Sequence, residues 1–196
     1  MARYKTLKGE SEGEYREKGS RFLAYATFIA DEAEAKQYIK KIAKEHFKAK
    51  HVCFAYTVGT ANSLSRWSDA NEPANTAGPP ILNQIKKNDL HHVLIVVVRY
   101  FGGVLLGKGG LIRAYSSVAN VAILKADIIE KDEVTTMILD IDINEYPFLM
   151  DVLKKFNVTD IQYEFGTKCT ISFTYRSEDK NQLESALKTF ESLMYK

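Results

Sequence analysis

The chain is organised around the segment VLIVVVRYFGGVLLGKGGLIRAY, residues 93–115. It opens with an uninterrupted aliphatic run, Val93–Val98, which is typical of a central β-strand covered on both faces. A glycine-rich passage follows, and the chain then continues with apolar residues at helical spacing. The members of this apolar face are Leu111, Ile112, Tyr115, Val118, Ala119, Ala122 and Ile123. The stretch therefore predicts a buried strand, a glycine-rich turn and a helix that packs against the sheet.

The residues before this stretch predict further strands and helices around it. Aromatic and aliphatic content indicates strands at 21–30 and 52–58, and Asp31 is a typical N-cap for a helix between them. The apolar face of that helix consists of Ala35, Tyr38, Ile39, Ile42, Ala43 and Phe47. Residues 59–80 are rich in turn formers and predict a loop with a short strand at 64–67. Two prolines at its end suit the first turn of a helix that reaches about Lys87.

The last third of the chain predicts a small domain with the element order β-α-β-β-α. Residues 134–143 alternate as a strand, and Asn144 is the predicted N-cap of a helix. Residues 158–165 and 168–175 predict a hairpin. Ser177 is the predicted cap of a last helix whose apolar positions run to Met194. This order is typical of a ferredoxin-like antiparallel sheet with helices on one face.

Composition indicates an α+β protein of two domains. The 196 residues are 45% hydrophobic, and no apolar run is long enough to span a bilayer. Residues 1–130 contain 19 Lys and Arg against 13 Asp and Glu, a net charge of +6, whereas residues 131–196 contain 8 against 12, a net charge of −4. We therefore predict domains at 1–130 and 131–196. Without an apolar leader, and with both cysteines in apolar runs, we expect a cytosolic protein with reduced thiols and no membrane contact.

The glycine-rich turn is the first candidate for a binding site. Glycines at the start of a helix expose backbone N–H groups, and a neighbouring lysine favours a phosphate or another anion. Packing offers a second interpretation, in which the glycines relieve crowding between helix and sheet. The glycine spacing matches neither the P-loop nor the dinucleotide fingerprint. The candidate anion contacts are Arg66, Arg99, Gly102, Gly103, Gly107, Lys108, Gly109, Gly110 and Arg113.

Arg99 ends the buried strand and therefore needs a carboxylate partner. Asp69 and Glu72 are the predicted carboxylate partners, either in a structural ion pair or beside a ligand. Together with Ser68 and Thr76 they form a polar loop that either binds a ligand or satisfies its own backbone. The adjacent aromatic residues Tyr100 and Phe101 either stack on bases or close the core.

A second basic feature is a ridge of lysines on the first predicted helix. Lys36, Lys40, Lys44 and Lys48 recur every four residues, and Lys41 and Lys50 accompany them. They form either a phosphate-binding ridge or a solvated helix face. Cys53 and His51 lie two apart on one predicted strand with no orienting acid, which favours a core thiol. No zinc-ligand spacing is visible. We therefore assign no catalytic residue, metal or cofactor.

Several motifs resemble those of the YigZ/IMPACT family of translation-associated proteins. They cover residues 19 to about 125 and comprise Gly19–Phe22, His51–Tyr56, Ser68-Asp69, Glu72-Pro73, Thr76–Pro80 and Val98–Tyr115. The resemblance implies an N-terminal domain with the left-handed β-α-β arrangement of some ribosomal proteins and of the fourth domain of elongation factor G. It also implies a C-terminal domain like that factor's fifth. The loop departs from the family pattern, because Ala70, Asn71 and Asn75 stand where family members have Asp, Gly and Gly.

Together, these features predict a regulator that binds RNA or ribosomal components through its basic N-terminal domain. By analogy with eukaryotic members of the family, which compete for the activator of a stress-responsive kinase, an alternative is a protein that docks a translation factor or kinase activator. Its acidic half would then form the docking module. An enzyme acting on a nucleotide or peptide is the third hypothesis.

Overall fold

Two compact units make up the chain. The computed structural model describes residues 3–60, 63–188, 190 and 194–195. One unit comprises residues 4–131, and the other is built from the residues that follow, together with Arg3. Within the described ranges, no helix combines the length and the apolar character that crossing a bilayer requires.

The N-terminal unit is a five-stranded antiparallel sheet with helices on both faces. Its elements are β1 (Arg3–Leu7), β2 (Ser11–Glu17), β3 (Ser20–Phe28), α1 (Glu32–Glu45), β4 (His51–Val58), β5 (Leu64–Ser68), α2 (Gly78–Lys87), β6 (Val93–Tyr100), α3 (Gly107–Lys125) and β7 (Ile128–Asp132). The sheet order is β2-β3-β6-β4-β5, and β1 pairs with β7 separately. Because β3 and β4 both pair antiparallel with β6, they are parallel to each other and are joined by α1.

The central position predicted for β6 is confirmed. Leu94, Val96 and Val98 pack in the core beneath α1, whereas Ile95 and Val97 pack on the opposite face with α2 and α3. Every residue from Val93 to Arg99 is buried. The strand therefore alternates between two cores, which explains why its sequence shows no polar alternation.

Two predictions for the N-terminal unit were incomplete or wrong. Strands β1 and β2 were not predicted, because alternating charged and small residues give β2 no apolar run. Gly13 in β2 lies where an added Cβ would be 2.7 Å from the Val118 carbonyl oxygen, so its lack of a side chain admits α3. Phe47 does not belong to the apolar face of α1: the helix ends at Glu45, and Phe47 is 76% exposed. Asp31 caps α1 as predicted, since its carboxylate accepts the Glu34 N–H at 2.8 Å.

The C-terminal unit has the ferredoxin-like arrangement. Its elements are β8 (Val134–Ile141), α4 (Tyr146–Leu153), β9 (Thr159–Phe165), β10 (Cys169–Arg176), α5 (Lys180–Leu187) and β11 (Met194–Tyr195). The sheet order is β11-β8-β10-β9, and each neighbouring pair is antiparallel. The predicted hairpin is confirmed as the β9–β10 pair.

The predicted ends of the C-terminal helices were wrong. Met194 lies in a strand that pairs with β8, so the last helix stops well before it. Each helix is also preceded by a short 3₁₀ turn, which moves the cap upstream. Asp142 rather than Asn144 caps the first turn, in a capping box with Glu145, and Arg176 rather than Ser177 is the N-cap of the second.

Candidate functional site

A cleft of about 520 Å³ lies beside the glycine-rich turn between β6 and α3. Its apolar walls are formed by Pro73, Phe101, Leu105, Leu106 and Leu111. Its polar residues are Lys50, His51, Asn71, Glu72, Arg99 and Lys108. The cleft therefore combines an apolar surface with several cationic groups and one carboxylate, and these come from four separate segments of the chain.

A buried ion pair forms the floor of this cleft. Arg99 Nη1 donates to Glu72 Oε1 at 2.7 Å, and the two side chains are 6% and 3% exposed. The Tyr115 hydroxyl donates to the same carboxylate oxygen at 2.8 Å. Glu72 is therefore confirmed as the partner that Arg99 requires, and it joins the loop to both β6 and α3.

The Arg99 guanidinium has several contacts, but one of its N–H groups has no hydrogen-bond acceptor among the described residues. Its Nη2 lies 3.4 Å from the Ser20 hydroxyl, which also accepts the Gly102 N–H at 3.2 Å. The guanidinium carbon lies 5.5 Å from the centre of the Phe22 ring and 5.4 Å from that of Phe101. Its Nε is buried and has no hydrogen-bond partner. One donor of Arg99 is thus buried without an acceptor.

Cys53 and His51 occupy the same face of β4 but make separate contacts. The Cys53 thiol donates to the Asp69 carbonyl oxygen at 3.1 Å and lies 3.4 Å from the Tyr115 hydroxyl oxygen. Burial raises the pKa of Cys53 to about 12, so the thiol stays protonated at neutral pH. His51 Nδ1 lies 2.9 Å from the Ala70 carbonyl oxygen. The buried Cys53 matches the core thiol that the sequence favours. The expectation that no acid lies near the pair was wrong, because His51 Nε2 is 4.0 Å from Glu72 Oε1.

The polar loop residues chiefly satisfy their own backbone. The Asp69 carboxylate accepts the N–H groups of Asn75, Ala77 and Gly78 at 2.8–2.9 Å and so closes the loop onto the start of α2. The Ser68 hydroxyl accepts the Ala70 N–H, and the Thr76 hydroxyl donates to the Pro73 carbonyl oxygen. Of the four predicted loop residues, only Glu72 lines the cleft.

The loop's departures from the family pattern preserve a left-handed backbone. Asn71 has φ of 66° and Asn75 has φ of 63°. Asparagine adopts this conformation more readily than most residues other than glycine. The Asn71 side chain, which a glycine lacks, belongs to the lining of the cleft.

The glycines of the turn serve different purposes. At Gly102, an added Cβ would lie 1.9 Å from the Gly19 carbonyl carbon, so this position requires close backbone packing. Gly103 and Gly107 have positive φ and open space around them. Around Gly109 the nearest atom to an added Cβ is Arg113 Nη1, at 3.7 Å, and at Gly110 it is Leu106 Cβ, at 3.0 Å. The packing interpretation therefore applies to Gly102, where the backbones are crowded. The interpretation of an open approach applies to Gly103 and Gly107.

The start of α3 carries no negative charge of its own. Its first turn contains no acidic residue, and no side chain caps its N-terminus. The N–H groups at the start of a helix have no partner within the helix, and the helix dipole adds partial positive charge there. Lys108 lies in this turn and lines the cleft.

The predicted arginines are not brought together. Arg66 Nε lies 3.7 Å from Glu32 Oε1, and Arg113 Nη2 lies 3.8 Å from Glu17 Oε1. Neither belongs to the cleft lining, whereas Arg99 and Lys108 do. Sequence reasoning assigned Lys50 to the lysine ridge rather than to the cleft, and it missed His51 as a cleft residue. The pairing of β4 with β6 would have identified both residues, because it places the start of β4 beside Arg99.

The lysine ridge lies on the other side of the sheet from the cleft. Lys36, Lys40 and Lys44 are exposed on α1, whereas Lys48 follows the end of that helix. Because α1 covers the face opposite to α3, the ridge and the cleft are separate features. Among the described residues, no group of three or more His, Cys, Asp or Glu side chains could hold a metal ion.

Comparison with known proteins identifies the family. Residues 18–123 match the family model described as "Impact N-terminal domain". The chain is 35% identical to an IMPACT family member of Haemophilus influenzae, over 84% of this chain and 81% of that protein. It is 39% identical to the IMPACT family member YvyE of Bacillus subtilis, over 65% of this chain and 59% of that relative.

The two-unit architecture also occurs in a solved structure. A crystal structure described as that of a hypothetical protein matches with a TM-score of 0.77 and 26% identity, covering 100% of this chain and 97% of the other. The domain match includes β3, β6 and the glycine-rich turn, and the relatives extend the similarity over most of the chain. The chain therefore belongs to the IMPACT family.

Proposed function

We propose that this protein is a cytosolic, translation-associated regulator that binds RNA phosphates through its N-terminal unit. The resemblance to translation-associated members of the family supports the cellular setting. The residues of the cleft support the chemistry, which is binding rather than catalysis. Cys53, the one thiol near the cleft, is held protonated, and Glu72 is engaged by Arg99 and Tyr115.

The observation that carries the proposal is two lysines of the cleft that have no ion-pair partner in the described part of the chain, Lys108 in the first turn of α3 and Lys50 just before β4. Lys50 and Lys108 both line the cleft, and no carboxylate of the described residues lies within ion-pair distance of either. An uncapped helix N-terminus flanked by lysines is a favourable environment for a phosphate. Phosphate contacts of this kind give affinity without sequence preference.

The charge of the whole unit adds a weaker contribution. Residues 1–130 carry a net charge of +6, and the lysines of α1 add a second basic surface. Such a field raises the rate of encounter with a polyanion and is screened by salt. We expect the ridge to contribute to long-range attraction and the cleft to hold the phosphate.

The test is RNA binding by the full chain across a salt series, followed by fluorescence anisotropy. Each phosphate contact on a single strand contributes about 0.7 to the slope of log affinity against log salt concentration. The double variant Lys50→Gln/Lys108→Gln should therefore lower the slope by about 1.4. Lys155→Gln/Lys168→Gln, at two exposed positions of the C-terminal unit, is the matched loss of two charges and should leave the slope unchanged. Binding that does not weaken with salt would refute the proposal.

A second candidate function, docking of a protein partner, is favoured by one feature of the C-terminal unit. Tyr163 and Phe165 on the edge strand β9 are more than half exposed and form an aromatic cluster with Tyr146, with ring centres 5.3–5.7 Å apart. Exposed aromatic groups are enriched at protein interfaces. A pull-down that is insensitive to nuclease and is lost in Tyr163→Ser/Phe165→Ser would support this candidate.

A further inference from the structure

The cleft beside α3 is larger and more apolar than a site for phosphate alone. At about 520 Å³ it lies in the size range of small-molecule pockets. We infer that it accepts one unpaired nucleotide of an RNA strand, with the phosphate at the start of α3 and the base against Phe101. This inference rests on the proposed function and specifies the form of RNA that the site selects.

The first support is the surface offered to a base. Phe101 is 51% exposed and Leu105 is 82% exposed, and both line the cleft. Large apolar groups on a turn expose area that a bound partner would cover. Phe101 also packs against the Arg99 guanidinium, which Glu72 holds in place. Its ring therefore lies on a fixed support and offers a surface on which a base can stack.

The second support is an unsatisfied donor of Arg99, a residue that lines the cleft. Arg99 is 5% exposed and lines the cleft, yet its Nε has no acceptor. Buried N–H groups are nearly always hydrogen-bonded in native proteins, so an oxygen atom that reached this donor would stabilise it. This donor is independent of the α3 terminus, and both favour a ligand that brings oxygen atoms. A nucleotide provides them in its phosphate and sugar.

The third support is the shape of the site relative to RNA. A base in a duplex is stacked above and below and is paired at its edge, so it cannot enter a concave cleft. Bases in single strands and loops can turn outward and stack on aromatic side chains. Asn71 is an amide in the cleft lining that can both donate to and accept from a base edge. The cleft therefore distinguishes unpaired from paired RNA.

The experiment compares a short single-stranded RNA with the duplex of the same sequence, using the full chain and fluorescence anisotropy. We expect Phe101→Ala to weaken single-strand binding about tenfold, because stacking on one aromatic side chain contributes about 5- to 150-fold in single-strand sites. Weak duplex binding through phosphates should not change. Phe47→Ala is the matched control, since Phe47 is exposed beyond α1 and lies outside the cleft lining.

Two further variants keep the test decisive. Phe101→Leu preserves apolar packing on Arg99 and removes the aromatic ring, so it replaces Phe101→Ala if that variant does not fold. Asn71→Gly removes the amide at a position that already has positive φ, and should reduce discrimination among homopolymers without loss of fold.

The outcomes separate the two proposals. If Phe101→Ala, or Phe101→Leu in its place, binds the single strand as wild type does while Lys50→Gln/Lys108→Gln weakens it, the nucleotide site is refuted and the phosphate site stands. Equal affinity of the wild-type chain for single strand and duplex likewise refutes the nucleotide site. If the wild-type chain binds neither RNA, both proposals fail and the protein-docking function is favoured.

Discussion

Replacing Glu72 by Gln should destabilise the N-terminal unit strongly. The substitution removes the carboxylate that neutralises Arg99, while both side chains remain more than nine-tenths buried. Breaking a buried ion pair by removing one partner costs about 3–5 kcal/mol, because the remaining charge is left uncompensated. The Tyr115 hydroxyl also exchanges a charged acceptor for a neutral one. We therefore expect the free energy of unfolding to fall by about 4 kcal/mol.

Two companion variants test whether this loss of stability comes from the uncompensated buried charge. Tyr115→Phe removes only the hydroxyl, so it should cost about 1.5–3 kcal/mol, the contribution of a hydrogen bond to a charged group. Arg99→Met/Glu72→Gln removes both charges and should be more stable than Glu72→Gln alone, since well-packed apolar replacements of buried pairs are often neutral. The double variant must therefore show a large non-additive term.

The assay is urea unfolding followed by the fluorescence of Trp67, the only tryptophan in the chain. Trp67 lies on β5 and packs against the start of α2, so its signal reports on the N-terminal unit separately from the other. This matters because a chain of two units need not unfold in one step. A loss below about 1 kcal/mol for Glu72→Gln, or strict additivity in the double variant, would refute the buried-charge argument.

Three further predictions concern the loop, the helix and the thiols. Asp69→Ala removes the acceptor of three backbone N–H groups. By the same fluorescence assay, the free energy of unfolding should fall by about 2 kcal/mol, and by less in Asp69→Asn. An unchanged urea midpoint would contradict this prediction. Gly109→Ala should stabilise the chain by about 0.5–1 kcal/mol, because an added Cβ meets only the end of the Arg113 side chain, at 3.7 Å, and alanine is the better helix former. A lower urea midpoint would contradict it. Burial raises the pKa of Cys53 to about 12 and also raises that of Cys169. Both thiols should therefore resist an aromatic disulfide reagent in mildly alkaline buffer and react after unfolding in guanidinium chloride. Rapid reaction of the native chain would contradict the burial of these thiols.

The elements that depend on local pattern were predictable. The aliphatic run of β6 and the helical face of α3 indicate their own burial, because no other arrangement removes so much adjacent apolar surface from water. Strand β2 was missed because it is an edge strand in which charged residues alternate with small ones. The predicted α1 was too long, because Phe47 continues the apolar spacing of the helix beyond Glu45, its last residue.

The site itself was predictable only in part. A buried arginine at the end of a strand needs a carboxylate, and this rule selected Glu72 and Asp69 from the loop. The rule could not choose between them, because the choice depends on which side chain the loop turns toward Arg99. Asp69 instead closes the loop through backbone N–H groups. The exposure of Phe101 likewise depends on how the glycine turn leaves the sheet.

By itself, the sequence determined the family, the central strand, the glycine turn and the need for a buried partner at Arg99. Tertiary structure alone decided which cations remain available to a ligand. Arg66 and Arg113 are paired with Glu32 and Glu17, which are far away in the chain. An ion pair forms over a few ångströms of space regardless of sequence separation. Charge counted along the chain therefore overstates the cations free to bind, and only folding shows that Lys50 and Lys108 are the cations left unpaired at the cleft.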